Sequence, residues 1–299
     1  MTAREKGFLL LTSHLGDPGR RVLTPAQLRQ LSQRMQLLQR PGEDRELCLG
    51  DLIAMGYSAE MAERILRLLG DGELLDHYVR KAAAKGCVPV TRVSGAYPLI
   101  LRKRLGTESP GCLWARGDIS LLAKPGIALV GSRDLGTENS RFAQAVGRSA
   151  ARHGLVLISG NARGADKAAQ DACLEAGGQV ISVVADTLWE HSHREGRLCL
   201  SEDGFDLAFS PQRALSRNRV IHALGRMVFV AQSGLGTGGT WDGTVKNLRS
   251  GWSSVACFRD GSAASLELEQ RGAFLVGYED LADLGALLEP PADLFSMQK

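Results

Sequence analysis

Three short polar runs each follow a continuously apolar stretch of the chain. They are Gly131-Ser132-Arg133-Asp134 after GIALV, Ser159-Gly160-Asn161-Ala162-Arg163-Gly164-Ala165-Asp166 after LVLI, and Ser233-Gly234-Leu235-Gly236-Thr237-Gly238-Gly239-Thr240 after MVFVAQ. Glycine lets a backbone come close to a ligand, and arginine brings a planar cation with a fork of donors. Small residues at a strand end, followed by a helix start, suit an anion, because unpaired N–H groups and the helix dipole converge there. A fourth run, Arg217-Asn218-Arg219, opens a helix-like segment ahead of another apolar stretch. A glycine after a strand also serves simply to turn the chain, so no single run is specific. Several meeting on one rim are. The candidate phosphate contacts are Gly131, Ser132, Arg133, Ser159, Gly160, Arg163, Gly164, Lys167, Arg217, Asn218, Arg219, Ser233, Thr237, Gly238, Gly239 and Thr240. Asp166 within such a run is expected to orient Arg163 or cap the next helix rather than to catalyse.

Other chemistries find less support. There is no G-x-x-x-x-G-K-[ST] for a P-loop and no G-x-S-x-G elbow, and Ser132 and Ser159 have no recognisable base. Gly234-x-Gly236-x-x-Gly239 with Asp260 about twenty residues on has the form of a dinucleotide fingerprint. It follows a late strand rather than the first βα unit, and glycine is so dense there that the pattern arises easily. His191 and His193 could share a metal, but no third ligand stands at a recognisable spacing. No metal and no cofactor are expected.

The elements that must position these runs are legible as a change of rhythm. From Gly126, short β-branched runs without alternation (GIALV, LVLIS, QVISVVA, RMVFVAQ, SSVACF) alternate with helix-like segments. That is the pattern of a parallel sheet covered on both faces, a Rossmann-like doubly wound α/β domain over residues 126–285. Residues 1–87 read as helical. In one segment Thr24, Pro25 and Gln27 form a capping signal ahead of Leu28, Leu31, Met35 and Leu38. In another, GDLIAMGYSAEMAERILRLLG, two half-helices meet at Met55-Gly56-Tyr57, with Ser58 capping the second. The hairpin is similar to a helix-hairpin-helix or SAM-like module, whose turn can offer amides to phosphates, and equally suits a plain helical cap. Residues 88–125 read as a connecting region with short strands, containing the basic triplet Arg102-Lys103-Arg104, and residues 286–299 as a tail.

Charge is uneven, with 19 Lys and Arg against 13 Asp and Glu in residues 1–125, and 17 against 20 in residues 126–299. A basic front half permits a nucleic-acid partner without requiring one. The six cysteines are scattered without a C-x-x-C pair, and no apolar stretch is long enough to span a bilayer or act as a secretory signal. A cytoplasmic protein with no membrane partner is expected.

The order Gly131-Ser132-Arg133, Ser159-Gly160-x-Ala162-Arg163-Gly164-x-Asp166, Gly177-Gly178, Ser201-Glu202, Arg217-Asn218-Arg219 and Ser233–Thr240 resembles the DNA-processing protein A (DprA/Smf) family. Tyr97-Pro98 and Pro110-x-x-Leu113-Trp114-Ala115-Arg116-Gly117 are similar to that family's lead-in, so the likeness runs over about residues 90–260. It implies a non-enzymatic protein of transformation and recombination. Such a protein binds single-stranded DNA, dimerises through the Rossmann-like domain and loads a RecA-type recombinase. Amides around Gly131, Gly160 and Gly164, with Arg133, Arg163, Lys167, Arg217 and Arg219, would then hold successive phosphates. Three stretches depart from the family pattern: Ser201–Asp206, ADTLWEHSHREGR and GTGGTWDGTVKNL. The family's winged-helix-like extension is not expected within the 299 residues. A related group, similar to the cytokinin-activating phosphoribohydrolases, has a G-G-x-G-T loop followed by Glu. Here Thr240 stands at that position and the nearest acid is Asp242. That disfavours hydrolysis, and the alternative is a protein of this related group that binds or hydrolyses a nucleotide, as in antiphage defence.

Overall fold

The computed structural model describes residues 1–37, 46–192, 194–202 and 204–288. Its strands are β1 (Val88–Thr91), β2 (Cys112–Gly117), β3 (Gly126–Val130), β4 (Val156–Ser159), β5 (Gln179–Val184), β6 (Arg197–Glu202), β7 (Met227–Val230), β8 (Ser254–Phe258) and β9 (Phe274–Val276). They join in one sheet of order β1-β2-β6-β5-β4-β3-β7-β8-β9. Pairing is parallel from β6 to β9 and antiparallel at β1–β2 and β2–β6. Residues 88–125 are thus more than a connection. Their two strands extend the sheet.

The helices are α1 (Ala3–Thr12), α2 (Pro25–Leu37), α3 (Leu49–Ala54), α4 (Ala59–Gly70), α5 (Gly72–Ala84), α6 (Leu99–Leu105), α7 (Thr137–Arg152), α8 (Ala165–Glu175), α9 (Pro211–Leu224), α10 (Gly238–Ser250), α11 (Ala263–Gln270) and α12 (Leu284–Leu288). In β3, Ala128 and Val130 point into the core beneath α6, α9 and α10, while Ile127 and Leu129 point into the core beneath α7 and α8. Side chains alternate across a strand, so burial of both faces demands a strand that is apolar throughout. The sequence of β3 meets that demand.

The N-terminal helices pack against the antiparallel end of the sheet. Tyr78 of α5, Trp114 of β2 and Phe205 meet there with ring centroids 4.9–5.3 Å apart. Tyr78 Oη donates to Asp206 at 2.8 Å, and Lys81 pairs with the same carboxylate. The hairpin of α3 and α4 closes as expected at Met55-Gly56-Tyr57. However, its turn amides are spent internally, Gly56 N on Ile53 O and Tyr57 N on Leu52 O, which favours the cap over a phosphate-binding turn. In α2, Leu31 is buried but Met35 is exposed, and Leu38 lies outside the described residues. Of the basic triplet, Arg104 is committed to structure: its guanidinium donates to Ala223 O and Gly225 O at the end of α9. No helix among the described residues is long and apolar enough to cross a membrane. The six cysteines are free thiols.

Candidate nucleic-acid interface

Parallel strands β3, β4, β5 and β7 deliver their carboxyl ends to one edge, and the order reverses between β3 and β7, which have β4 on one side and β8 on the other. Such a switch point opens a crevice above the sheet, because the connecting helices leave to opposite faces. Here it measures about 500 Å³ and is walled by Gly131–Arg133 after β3 and by Gly234 and Thr237–Thr240 after β7. Helix α9 closes it with Leu215, Arg217, Asn218 and His222. A second cavity of about 210 Å³ adjoins it above β4 and β5, bounded by Gly160–Arg163, Ala185, Asp186 and His191. Arg133, Ala162, Phe209 and Arg217 line both. The two cavities with this common wall make up the groove.

Arg217 is the floor of this groove. It is buried to 9 % exposure, and its guanidinium lies so close over Gly160 that a Cβ there would coincide with it. Burial lowers its pKa, opposed by the neighbouring Asp166 carboxylate. Of the two roles expected of Asp166, orienting Arg163 is not what the structure shows. Its carboxylate accepts from the amides of Gly160 at 3.0 Å and Ala162 at 3.2 Å and so ties down the loop that leaves β4. Burial pushes the Asp166 carboxyl up, while Arg217 and the two amides pull it down. Those amides are therefore not free for phosphate. Arg163 instead reaches across to Asp134 at 2.9 Å, both side chains being mostly in water; such a pair holds its members weakly and leaves Arg163 available.

A buried polar chain supports the same loop. Ser159 is fully buried and its Oγ accepts from Gln170 Nε2 at 2.5 Å, while Gln170 Oε1 accepts from Ser182 Oγ. Arg197 donates to Asn161 Oδ1 at 2.7 Å. Asn161 adopts a left-handed backbone (φ 55°), a conformation that Asn tolerates better than most residues. His191 spans Asn161 and Asp186, with Nε2 2.7 Å from the Asp186 carboxylate. Both of its ring nitrogens are engaged, and no metal-holding group of His, Cys, Asp or Glu is found among the described residues; His193 lies outside them.

The structure brings Gly131, Ser132, Arg133, Gly160, Arg163, Arg217, Asn218, Thr237, Gly238, Gly239 and Thr240 to the groove. Five expected contacts lie elsewhere. Ser159 is beneath the loop. Gly164, at φ 87°, packs against the backbone of Ser132 and Arg133 and starts α8. Lys167 pairs with Asp171 one helical turn on. Ser233 faces a small recess near Asp260. Arg219 is on the far side of α9, where Glu202, itself only 7 % exposed in its side chain, pairs with it at 2.8 Å. That far side borders a third cavity, which shares only Leu215 and Asn218 with the crevice and also holds Asp242, the acid nearest the Gly-rich loop. Asp260, the partner in the dinucleotide pattern, is occupied by Asn139 Nδ2 and Ser262 N.

Sequence reasoning missed Phe209, which is 53 % exposed and stands over both halves of the groove. It also missed Arg213, which holds the Phe209 loop by donating to Ala185 O, Leu207 O and Ala208 O. An aromatic two residues before the Pro211 helix start was the available signal.

A family model described as DNA recombination-mediator protein A matches residues 89–244, just over half of the chain. The chain belongs to this family. Among DprA/Smf relatives, Protein Smf of Synechocystis is 26 % identical over 252 residues, 78 % of this chain and 60 % of its own length. DNA processing protein DprA of Streptococcus pneumoniae is 30 % identical over 191 residues, 59 % of this chain and 67 % of its own. The chain thus spans about three fifths of the Synechocystis relative. The X-ray structure of the pneumococcal DprA shares the fold, with a TM-score of 0.72 at 24 % identity over 94 % of this chain and 98 % of that one. A Helicobacter pylori DprA structure, which describes that protein's single-stranded DNA binding mode, has a TM-score of 0.55 at 22 % identity, covering 68 % of this chain and 95 % of that one.

Proposed function

We propose that this DprA/Smf-family chain binds single-stranded DNA along the carboxyl edge of its sheet, without cutting or modifying it. The observation that carries the reading is the shared wall of the two cavities, because Arg133, Phe209 and Arg217 belong to both. A wall common to successive subsites suits a polymer more than a lone small molecule. Phosphates would lie on Arg133, Arg163 and Arg217, and Phe209 offers a face on which a base can stack, a contact indifferent to base identity. The groove's carboxylates, Asp166 and Asp186, are engaged by amides and by His191, which supports binding over hydrolysis.

Fluorescence anisotropy with oligo-dT across a salt series tests this. With three arginines on phosphates, log K should fall with log salt at a slope of about −2. Arg133→Ala should weaken binding about tenfold and flatten the slope by about 0.7. An unchanged slope in that variant, or duplex bound as well as single strand, would count against the groove. Family membership further supports loading of a RecA-type recombinase on DNA protected in this way, by a homodimer joined through the sheet domain. Sedimentation of the protein alone and strand-exchange assays with a recombinase address those two points, and a monomer that leaves strand exchange unaltered would refute them.

A further inference from the structure

The second cavity, above β4 and β5, contains a hydrogen-bonded relay that fixes the protonation of one of its walls. Arg197 of β6 donates from Nη2 to Asn161 Oδ1 at 2.7 Å, so the nitrogen end of that amide faces His191. An amide nitrogen only donates. His191 Nδ1, 3.3 Å from Asn161 Nδ2, therefore accepts, and the ring proton stands on Nε2, which donates to Asp186 Oδ1 at 2.7 Å. In this arrangement the imidazole is neutral. His191 lies in ADTLWEHSHREGR, one of the stretches that depart from the family pattern, so the relay belongs to this chain.

The charges facing the ring come from every element packed around it. Asp186, after β5, is the carboxylate of this cavity, and Arg163 from the β4–α8 loop, Arg133 from the β3–α7 loop and Arg217 from α9 border the same space. Arg213 of α9 adds its charge near Asp186, and Arg197 reaches the ring through Asn161. On the ring's own segment, Glu190 and Arg194 are exposed. Three guanidinium groups against one carboxylate oppose a further positive charge on the imidazole. A strand laid in the cavity brings negative charge, and the balance reverses. Protonation also gives Nδ1 a hydrogen that cannot face the Asn161 amide nitrogen, whereas a phosphate oxygen accepts from both. Nε2 meanwhile keeps its bond to Asp186, whose half-exposed side chain suits a cation as well as a neutral ring.

We propose that His191 is a phosphate contact that becomes cationic only when a strand is bound, so that binding takes up a proton from solvent and holds it between the Asp186 carboxylate and a phosphate oxygen. This rests on the single-stranded DNA reading and adds to it a contact whose charge depends on the medium, which no arginine can provide. Affinity should then rise as pH falls through the range in which imidazole ordinarily titrates.

The test is anisotropy with oligo-dT lacking a terminal phosphate, at pH 8, 7 and 6 and constant ionic strength, with a melting curve at each pH. Neither the probe nor the arginines titrate in that range. Native affinity should rise about tenfold from pH 8 to pH 6, since one linked proton allows at most about tenfold per pH unit. Calorimetry at pH 7 in buffers of different ionisation heat should register proton uptake on binding, a readout that a purely structural histidine does not move. His191→Gln, which keeps a side-chain donor but takes no proton, should lose both the pH dependence and the uptake. Asp186→Asn, which leaves the cation without its carboxylate, should shrink both and serves in place of His191→Gln if that variant does not fold. A native affinity that stays flat across the range, or a pH dependence that persists in the folded variants, overturns the proposal and leaves the DNA reading intact. If oligo-dT binds at no pH, the DNA reading and the proposal fall together.

Discussion

Arg217 and Arg219 are two residues apart and do opposite work. A helix turns about 100° per residue, so positions i and i+2 point to nearly opposite sides. Arg217 enters the groove, and Arg219 crosses to Glu202 and the Glu108 carbonyl on the far side. Breaking a pair buried this deeply costs about 3 kcal/mol. Arg219→Ala should therefore lower the midpoint of chemical denaturation sharply yet leave the salt slope of oligo-dT binding as it was. A flatter slope would show that Arg219 touches phosphate after all. The sequence offered both arginines as equals. Helical geometry already separates them, but which of the two faces the groove depends on how α9 lies on the sheet.

At the scale of elements, the β4–α8 loop is the part whose shape matters most. Gly164 begins α8 at φ 87°, where Asp166 can return its carboxylate to the amides of Gly160 and Ala162. Gly160 is bare because the Arg217 guanidinium occupies the volume of its missing side chain. Gly160→Ala should drive that guanidinium out of place and reduce single-strand affinity about tenfold or more, as loss of a charge-assisted hydrogen bond implies. The check is anisotropy beside a melting curve, and retained affinity in a folded Gly160→Ala protein would deny Arg217 its place at the floor. This loop was legible in the sequence as small residues between a buried strand and a helix, and its neighbours on the same edge gave it weight that a turn alone would not have. The role of its acid was not legible: Asp166 could bond to any nearby amide or to Arg163, and only the closed loop selects Gly160 and Ala162.

For the whole molecule, the same crevice makes stability depend on pH. His222 holds its folded pKa near 3 against an ordinary value of 6.5. Between those values the unfolded chain binds a proton that the native protein refuses, so stability is full above about pH 6.5 and falls as the medium is acidified. At pH 5 the loss from this residue amounts to about 2 kcal/mol. Denaturant titrations at pH 7 and pH 5 should show that difference in the native protein and a smaller one in His222→Leu. Equal losses in the two would mean that His222 is not what senses the acid.

The local chemistry of this chain determined much by itself. Unalternating β-branched runs separated by helix-length segments specify a doubly wound sheet, since only strands covered on both faces can afford to be apolar throughout. Small residues at the strand ends mark its ligand-binding edge for a comparable reason, that side chains would block it. The tertiary structure decided which of those residues face the ligand. It drew residues 88–125 into the sheet, buried Ser159, sent Arg219 to Glu202, and brought Phe209 and His222 from outside every motif to the groove. Type and spacing along a chain set what a side chain can do, whereas its partners come from elements far apart in sequence and are fixed only when those elements pack.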